Sequence, residues 1–455
     1  MTAHCCLTAL SGDAIHDSKL EKVSKKTEGA SMTGQSVNSG DIIKQPLPLE
    51  GIRVVDATHI VAGPFCSMIL ADMGAEVIKI ERPGTGDLSR GRGPFIKAKA
   101  GDDSERGKQV SSRFLAVNRN KKSVTLDLRN DTCKSVFEEL VSKSDVLIDN
   151  WGPGALRRLG LGYEHLKEIN PGLVYASITG YGDPDGLGQG PYSQWPANNM
   201  SIQGMAGWMD ITGEPDRPPQ SVGDNIGDSV PGVWTALGIV LALESRRKTG
   251  LGQHVDMAMY ECMVSHVYSS INSYRATGES PTRSWERLAT AGLTFKAKDG
   301  YVVMAGIKTE ERMRALWQLT GREDLLQDPR YLGQGAGGDF YFQKVIPAIE
   351  GWSQTLSRHE VTESLTKIGF SMGVSQTISD LADCPHLEAR GMYAETGDTM
   401  DGVFRTLKAP IRLTGCVEPP AQTPPRLGEH NQTILCGIGG LSLETLAALE
   451  TQGVI

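Results

Sequence analysis

The side chain best placed for covalent chemistry is a carboxylate, Asp228. It stands in residues 221–261, SVGDNIGDSVPGVWTALGIVLALESRRKTGLGQHVDMAMYE. A Gly-Asp-Ser turn here opens into a predicted helix. Backbone N–H groups at a helix start favour an ionised carboxylate, and an ionised carboxylate is a nucleophile. The same position suits a helix cap, and from this stretch alone both readings stand. Pro231 sits near the helix start, where its missing N–H costs nothing. Val233, Leu237, Val240, Leu241 and Leu243 make the helix apolar nearly all round, which predicts burial. Arg246, Arg247 and Lys248 lie at its negative end, and Gly250 can close it. Val255, Met257 and Met259 then alternate as in a strand.

Other residue types narrow the chemistry. Arg82, Arg90 and Arg92 surround one Pro/Gly-rich loop, and Arg119, Lys121 and Lys122 lie in a second. Cations at strand ends suit a phosphate-bearing ligand; the alternative is a solvated basic rim. Eight cysteines are scattered, with no CxxC pair and no Cys/His cluster at zinc spacing. No metal site is predicted, and the thiols read as reduced. The loop HIVAGP is not a GxGxxG fingerprint. Glu81 does end the following strand, where a dinucleotide-binding acid would sit, but without the glycines NAD is not supported. Residues 186–190, GLGQG, read as a plain loop. There is no P-loop.

The elements that must position these groups read as α/β. Residues 52–56 form a strand, 65–73 a helix and 76–80 a strand, a βαβ unit with a parallel sheet. A strand at 123–127, a helix at 131–143 and strands at 145–149 and 173–178 continue the pattern. Such sheets bind ligands at the carboxyl ends of their strands. The texture changes after about residue 260. Residues 276–292 read as loop. Residues 293–304 read as a hairpin turning at Asp299-Gly300, with helices near 309–319, 343–356, 359–368 and 386–391. A strand at 407–413 precedes a proline-rich stretch and a C-terminal tail. The predicted organisation is a large α/β domain over 46–261, a linker over 262–284, a small α+β domain over 285–370, a linker over 371–390, and a return to the large domain over 391–455.

The 455 residues carry a net charge of −8, which argues against a nucleic-acid partner. No apolar run reaches the ~20 residues needed to span a bilayer, since residues 236–243 are followed at once by charges. Residues 1–45 are polar and aperiodic and read as a disordered extension dispensable for catalysis. A mitochondrial presequence has little support there: the segment lacks arginine and carries Asp13, Asp17 and Glu21. A cytoplasmic location is expected.

Several stretches, in order, resemble the class III CoA-transferases of the CaiB/BaiF family: LEGIRVVDATHIVAGPFCSMILADMGAEVIKIERPGTGD, AVNRNKKSVTLDLR, DVLIDNWGPGALRRLGLGYEHLKEINPGLVYASITGYG, IGDSVPG, RRKTGLGQHVDM, KAKDGYVVMAG and PRLGEHNQTIL. The resemblance spans about residues 48–437. It implies a Rossmann-like large domain, a smaller domain and an interlocked homodimer. It also implies transfer of CoA from an acyl-CoA donor to a carboxylic acid through an aspartyl anhydride and an aspartyl-CoA thioester. Asp228 matches the catalytic aspartate. His59, Ile60, Val61, Ala62, Arg82, Leu126, Arg129, Asn150, Trp151, Ala155, Arg158 and Met259 match CoA-lining positions. CoA thioesters enter as substrates, and no permanently bound cofactor is expected.

Departures from the family pattern bear on the substrate. Val61 replaces a glutamine of formyl-CoA transferases, and Arg129 takes the place of a lysine. Residues 279–292 lack the glycine-rich loop of those enzymes, so formyl/oxalate exchange is disfavoured. This stretch is closer to relatives using dicarboxylates such as succinate. Arg283 and Arg287 could clamp a distal carboxylate or stand as exposed loop arginines. Asn198 stands where related 2-methylacyl-CoA racemases have an acid/base histidine, and an amide cannot titrate. Racemisation and non-catalytic CoA binding are the alternatives.

Overall fold

Short runs rich in Val and Ile, each closed by turn residues, build the main sheet. The structure, a computed structural model, describes residues 46–96, 110–184, 186–305, 309–399, 402–416 and 420–455. The expectation for residues 1–45 lies outside them. Six strands pair in parallel: β1 Arg53–Ala57, β2 Glu76–Glu81, β3 Lys121–Thr125, β4 Val146–Asp149, β5 Val174–Thr179 and β6 His254–Ala258. Their order, β3-β2-β1-β4-β5-β6, reverses direction between β1 and β4. This is the doubly wound arrangement, which leaves a crevice at the carboxyl ends of β1 and β4.

Both faces of the sheet are covered, as parallel strands require. On one face Val54, Ile148 and Ala176 pack with Cys66 and Leu70 of helix α1 (Ala62–Asp72). Ala236, Ile239 and Leu243 of a longer helix join them there. On the other face Val55, Ile78 and Leu147 pack with Val136 and Leu140 of helix α2 (Asp131–Ser142). Ile434, Leu435 and Leu446 from the end of the chain complete that layer. Asn431 fixes this return by bonding Thr125 at the end of β3.

The longer helix, α3, spans Ile226–Thr249 and is closed by Gly250 at φ 76°, a conformation glycine adopts freely. It differs from expectation in two ways. It begins early enough that Pro231 lies inside it, where the missing N–H leaves the carbonyl four residues back, at Gly227, without its helical donor. And it is not buried all round: Val233 is 51% and Leu241 61% exposed. By length and composition α3 could cross a membrane; here one face packs on the sheet.

A second sheet has its own core. Strands β7 Leu293–Ala297, β8 Gly300–Ala305 and β9 Ser371–Val374 are antiparallel, in the order β9-β8-β7. The β7–β8 hairpin turns at Lys298-Asp299, one residue earlier than the sequence suggested. Phe295, Trp317, Ile349 and Val361 meet in this core, drawn from β7 and the helices Glu310–Leu319, Ile346–Ser353 and Arg358–Lys367. Part of the expected loop at 276–292 is a helix, Trp285–Ala291, capped by Ser284 accepting from Arg287 N–H. The segment 262–284 carries the end of helix Met259–Ser265 and the helix Tyr268–Thr277. Of the expected strand at 407–413 only Leu407 is extended in a ladder, as the last residue of a hairpin of Tyr393–Thr399 and Gly402–Leu407, and Pro410 cannot donate to a ladder. The tail holds a helix, Leu443–Thr451.

Candidate active site

The crevice opens into a cavity of about 690 Å³. The residues that follow β1, β4, β5 and β6 wall it: His59 to Ala62, Asn150 to Pro153, Gly180, and Met259. Asp228, in the first turn of α3, projects into the same space. Trp195, Asn198, Asn199 and Met200 also line it, with the exposed Arg92 and Arg113 at the mouth.

Asp228 does not cap α3. The cap position is Asn225, whose carbonyl accepts from the Asp228 and Ser229 N–H groups. Among the described residues the Asp228 carboxylate makes no hydrogen bond or ion pair, which leaves its oxygens open to the cavity. Burial pushes its pKa up to about 6. The helix start was expected to keep this group readily ionised; desolvation dominates instead, yet the carboxylate is still mostly charged at neutral pH. Close packing brings it to the opposite wall. A Cβ on Gly232 would lie 2.8 Å from the carbonyl oxygen of Ala62, so only glycine lets α3 approach the start of α1 this closely.

That opposite wall is a strained turn held from two sides. Asn150 grips His59 through both backbone groups, accepting from His59 N–H at 2.8 Å and donating to His59 O at 2.9 Å. Its amide is therefore occupied with the protein. Ile60 has φ 70°, a left-handed conformation that is a genuine outlier for a β-branched residue. Its N–H donates to Asp87 Oδ1 at 3.0 Å. Burial is the main influence lowering the His59 pKa, opposed by Asp87, so the imidazole is neutral at neutral pH.

Beneath the turn lies a set of buried ion pairs. Lys79 meets Asp87 at 2.9 Å and Lys121 meets Asp56 at 3.0 Å, all four side chains fully buried. Arg90 forms a two-pronged pair with Glu81, and away from the turn, at the far end of α1, Arg119 forms one with Asp72. Burial pushes the Lys121 pKa down to about 8, with Asp56 opposing the shift. Arg90, Arg119 and Lys121 thus form neither a phosphate site nor a solvated rim: their ion pairs tie a loop to β2, the approach to β3 to the end of α1, and β3 to β1. Asp149, ending β4, accepts from Trp151 N–H at 2.8 Å and Tyr175 OH at 3.3 Å. Burial nonetheless pushes its pKa up to about 7.

The structure therefore gathers His59, Ile60, Val61, Ala62, Asn150, Trp151, Asn198, Asp228 and Met259 around one cavity. Asn198 lines it while capping the helix Asn199–Met205, its oxygen accepting from Met200 and Ser201 N–H. Arg82, Leu126, Arg129, Ala155 and Arg158 are not among the lining residues. Leu126 is buried in the core. Arg82 and Arg158 are exposed, and exposed Arg129 pairs with Asp127. Arg283 and Arg287 also lie away from the cavity, donating to the carbonyls of Met209 and Pro281. The cations that do line it are Arg92 and Arg113. Arg92 stood out in sequence only as one charge of a cluster, and Arg113 carried no signal. Ser89, Trp195 and Asn199 were not singled out either, because their loops become neighbours only through the sheet order. The described residues contain no His/Cys/Asp/Glu group able to hold a metal.

The chain matches the model of CoA-transferase family III over residues 49–431. It is 36% identical to the succinyl-CoA:mesaconate CoA-transferase of Haloarcula hispanica, covering 86% of this chain and 97% of that protein. It is 33% identical to the formyl-CoA:oxalate CoA-transferase of Streptomyces avermitilis, covering 90% and 99%. A solved structure of a CaiB/BaiF family protein from Brucella suis superposes with a TM-score of 0.76 at 34% identity, covering 87% of this chain and all of that one. The chain belongs to CoA-transferase family III and is an enzyme acting as a CoA-transferase.

Proposed function

We propose that this enzyme moves CoA from an acyl-CoA donor to a dicarboxylic acid through covalent intermediates on Asp228. The observation that carries the reading is the unpaired, half-buried Asp228 carboxylate in a cavity walled by strand-end loops. In the first step an Asp228 oxygen attacks the thioester carbonyl and CoA thiolate leaves, giving a mixed anhydride. The thiolate then attacks the Asp228 carbonyl, releasing the donor acid and leaving an aspartyl-CoA thioester. The acceptor carboxylate attacks that thioester, forming a new anhydride and freeing the thiolate. Attack of the thiolate on the acceptor acyl carbon yields the product thioester and restores Asp228. No net proton is exchanged, and the thioester's energy stays in covalent bonds throughout.

The substrate side follows from charge. Arg92 and Arg113 at the mouth suit a second carboxylate, which agrees with the dicarboxylate named for the Haloarcula hispanica relative. The exposed arginines Arg82, Arg129 and Arg158 suit the phosphates of a CoA tail running out of the cavity. We further propose a large domain, a small domain and two linkers near the boundaries read from the sequence, with the second linker starting only after β9, since Ser371–Val374 pairs within the small sheet, and that two chains interlock. A reducing compartment fits the cysteines, since the six among the described residues are all free thiols.

The test is transfer from succinyl-CoA to a panel of dicarboxylic acids. Asp228→Ala should abolish transfer, and hydroxylamine added during turnover should inactivate the parent by trapping its acylated aspartate. Full transfer by Asp228→Ala, or rapid deuterium uptake at the acyl α-carbon in D₂O, would instead support a different chemistry. Asn198 cannot supply the second acid/base group that racemisation needs.

A further inference from the structure

The geometry assigns to Asp87, which does not itself line the cavity, the role of a positioning residue that holds the wall at residues 59–62 in its binding shape by tying down Ile60. The inference rests on the CoA-transfer reading of the cavity. A β-branched residue adopts φ 70° only where its surroundings over-determine it. Here they do. Asp87 Oδ1 accepts from Ile60 N–H at 3.0 Å, from Ser89 N–H at 2.8 Å and from Ser89 Oγ at 2.7 Å. Its Oδ2 faces the Lys79 ammonium at 2.9 Å. Lys79 also donates to Thr58 O at 2.8 Å, two residues before Ile60. Asp87 is in turn fixed by its own N–H, which donates to Glu81 Oε2 at 2.9 Å.

Burial alone would raise the Asp87 carboxyl, but Lys79 and the N–H groups of Ser89 and Ile60 outweigh it and hold it below the usual carboxylate range. The clamp therefore stays charged wherever Asp228 is active. With Asn150 gripping His59, the turn is bound at two successive residues. If Asp87 let go, Ile60 would relax toward an ordinary conformation and the lining positions of Ile60, Val61 and Ala62 would move with it. The cost would fall on thioester binding rather than on the chemistry at Asp228.

The test compares two charge-free pairs, so that neither leaves a buried unpaired ion. Lys79→Met with Asp87→Asn keeps an acceptor for Ile60 N–H. Lys79→Met with Asp87→Leu removes it. The Leu pair should raise KM for the CoA thioester by about tenfold, the scale of the left-handed penalty, with kcat changed by less than about twofold. The Asn pair should stay close to the parent. In an Ile60→Gly background the KM gap between the pairs should shrink to about twofold or less, because glycine needs no clamp to turn left-handed. Equal KM values for the two pairs, or a gap that persists undiminished in the Ile60→Gly background, would overturn the inference. Should the Leu pair fail to fold, its Ile60→Gly version is expected to fold, and failure of both would equally overturn it. Loss of transfer in the parent itself would instead refute the activity.

Discussion

At the residue scale the decisive feature is a carboxylate that the fold makes costly to ionise. Asp228 has a folded pKa of about 6 against an ordinary value of 3.8. The folded state therefore binds more protons than the unfolded state between those values. Its contribution to stability is fully present below about 3.8 and is lost as pH rises through about 6. Two outcomes follow. In Asp228→Asn, stability at pH 7.5 should rise by about 1–2 kcal/mol after allowing for partial solvent contact, while transfer is lost. That gain should vanish when variant and parent are compared by thermal melts near pH 4. For the parent, kcat/KM should fall with a one-proton slope as pH drops below about 6, since the protonated acid is no nucleophile. A flat profile down to pH 4.5 would show that Asp228 ionises normally. For Asp228 the stretch alone left cap and nucleophile open; the resemblance of IGDSVPG to the family motif singled it out, and the structure places it in the cavity with Asn225 at the cap position. Ile60 was not legible in the sequence: nothing in its type signals a left-handed turn, and only the assembled Asp87–Lys79 pair explains it. Buried cations such as Lys121 were misread for the same reason, since a charge run usually faces water.

At the scale of elements, the cavity that holds Asp228 depends on α3 touching the start of α1. Gly232 makes that contact, with a hypothetical Cβ 2.8 Å from the Ala62 carbonyl oxygen. The obstacle is backbone, so it cannot rotate away. Two effects compete in Gly232→Ala. Alanine favours a helix interior by about 1 kcal/mol, while overpacking costs about 1–3 kcal/mol. The clash should win, lowering Tm by several degrees and raising KM for the CoA thioester as the walls separate. A higher Tm with unchanged kinetics would mean that the helices have slack there. The parallel strands were readable because strands buried on both faces become continuous apolar runs. The helix Trp285–Ala291 and the hairpin beginning at Tyr393 were not. The first was hidden by its mix of charges, and the second lacks the clean alternation of a half-buried strand.

At the scale of the whole molecule, the surface of α3 calls for a partner. Val233, Trp234, Leu237, Val240 and Leu241 are all exposed, and their spacing puts them on one stripe of the helix. The helix Tyr268–Thr277 has no buried residue at all, although it presents Tyr268, Ile271 and Tyr274. Adjacent apolar exposure of this kind marks an interaction surface. In the interlocked arrangement proposed above a second copy would cover it, in keeping with a sequence of α3 that reads as a fully buried helix while a single chain buries one face of it. Two chains whose linkers cross would cover that stripe and could not separate without unfolding. Sedimentation at nanomolar protein should therefore show dimer alone. Leu237→Lys with Leu241→Lys would place two charges in the core of the proposed dimer, where each leucine would be worth about 1.5–3 kcal/mol when buried. That variant should lose its dimer, its thermal stability and its transfer activity together. A variant that stayed folded and active as a monomer would show that the stripe is mere surface and that each cavity is complete within one chain.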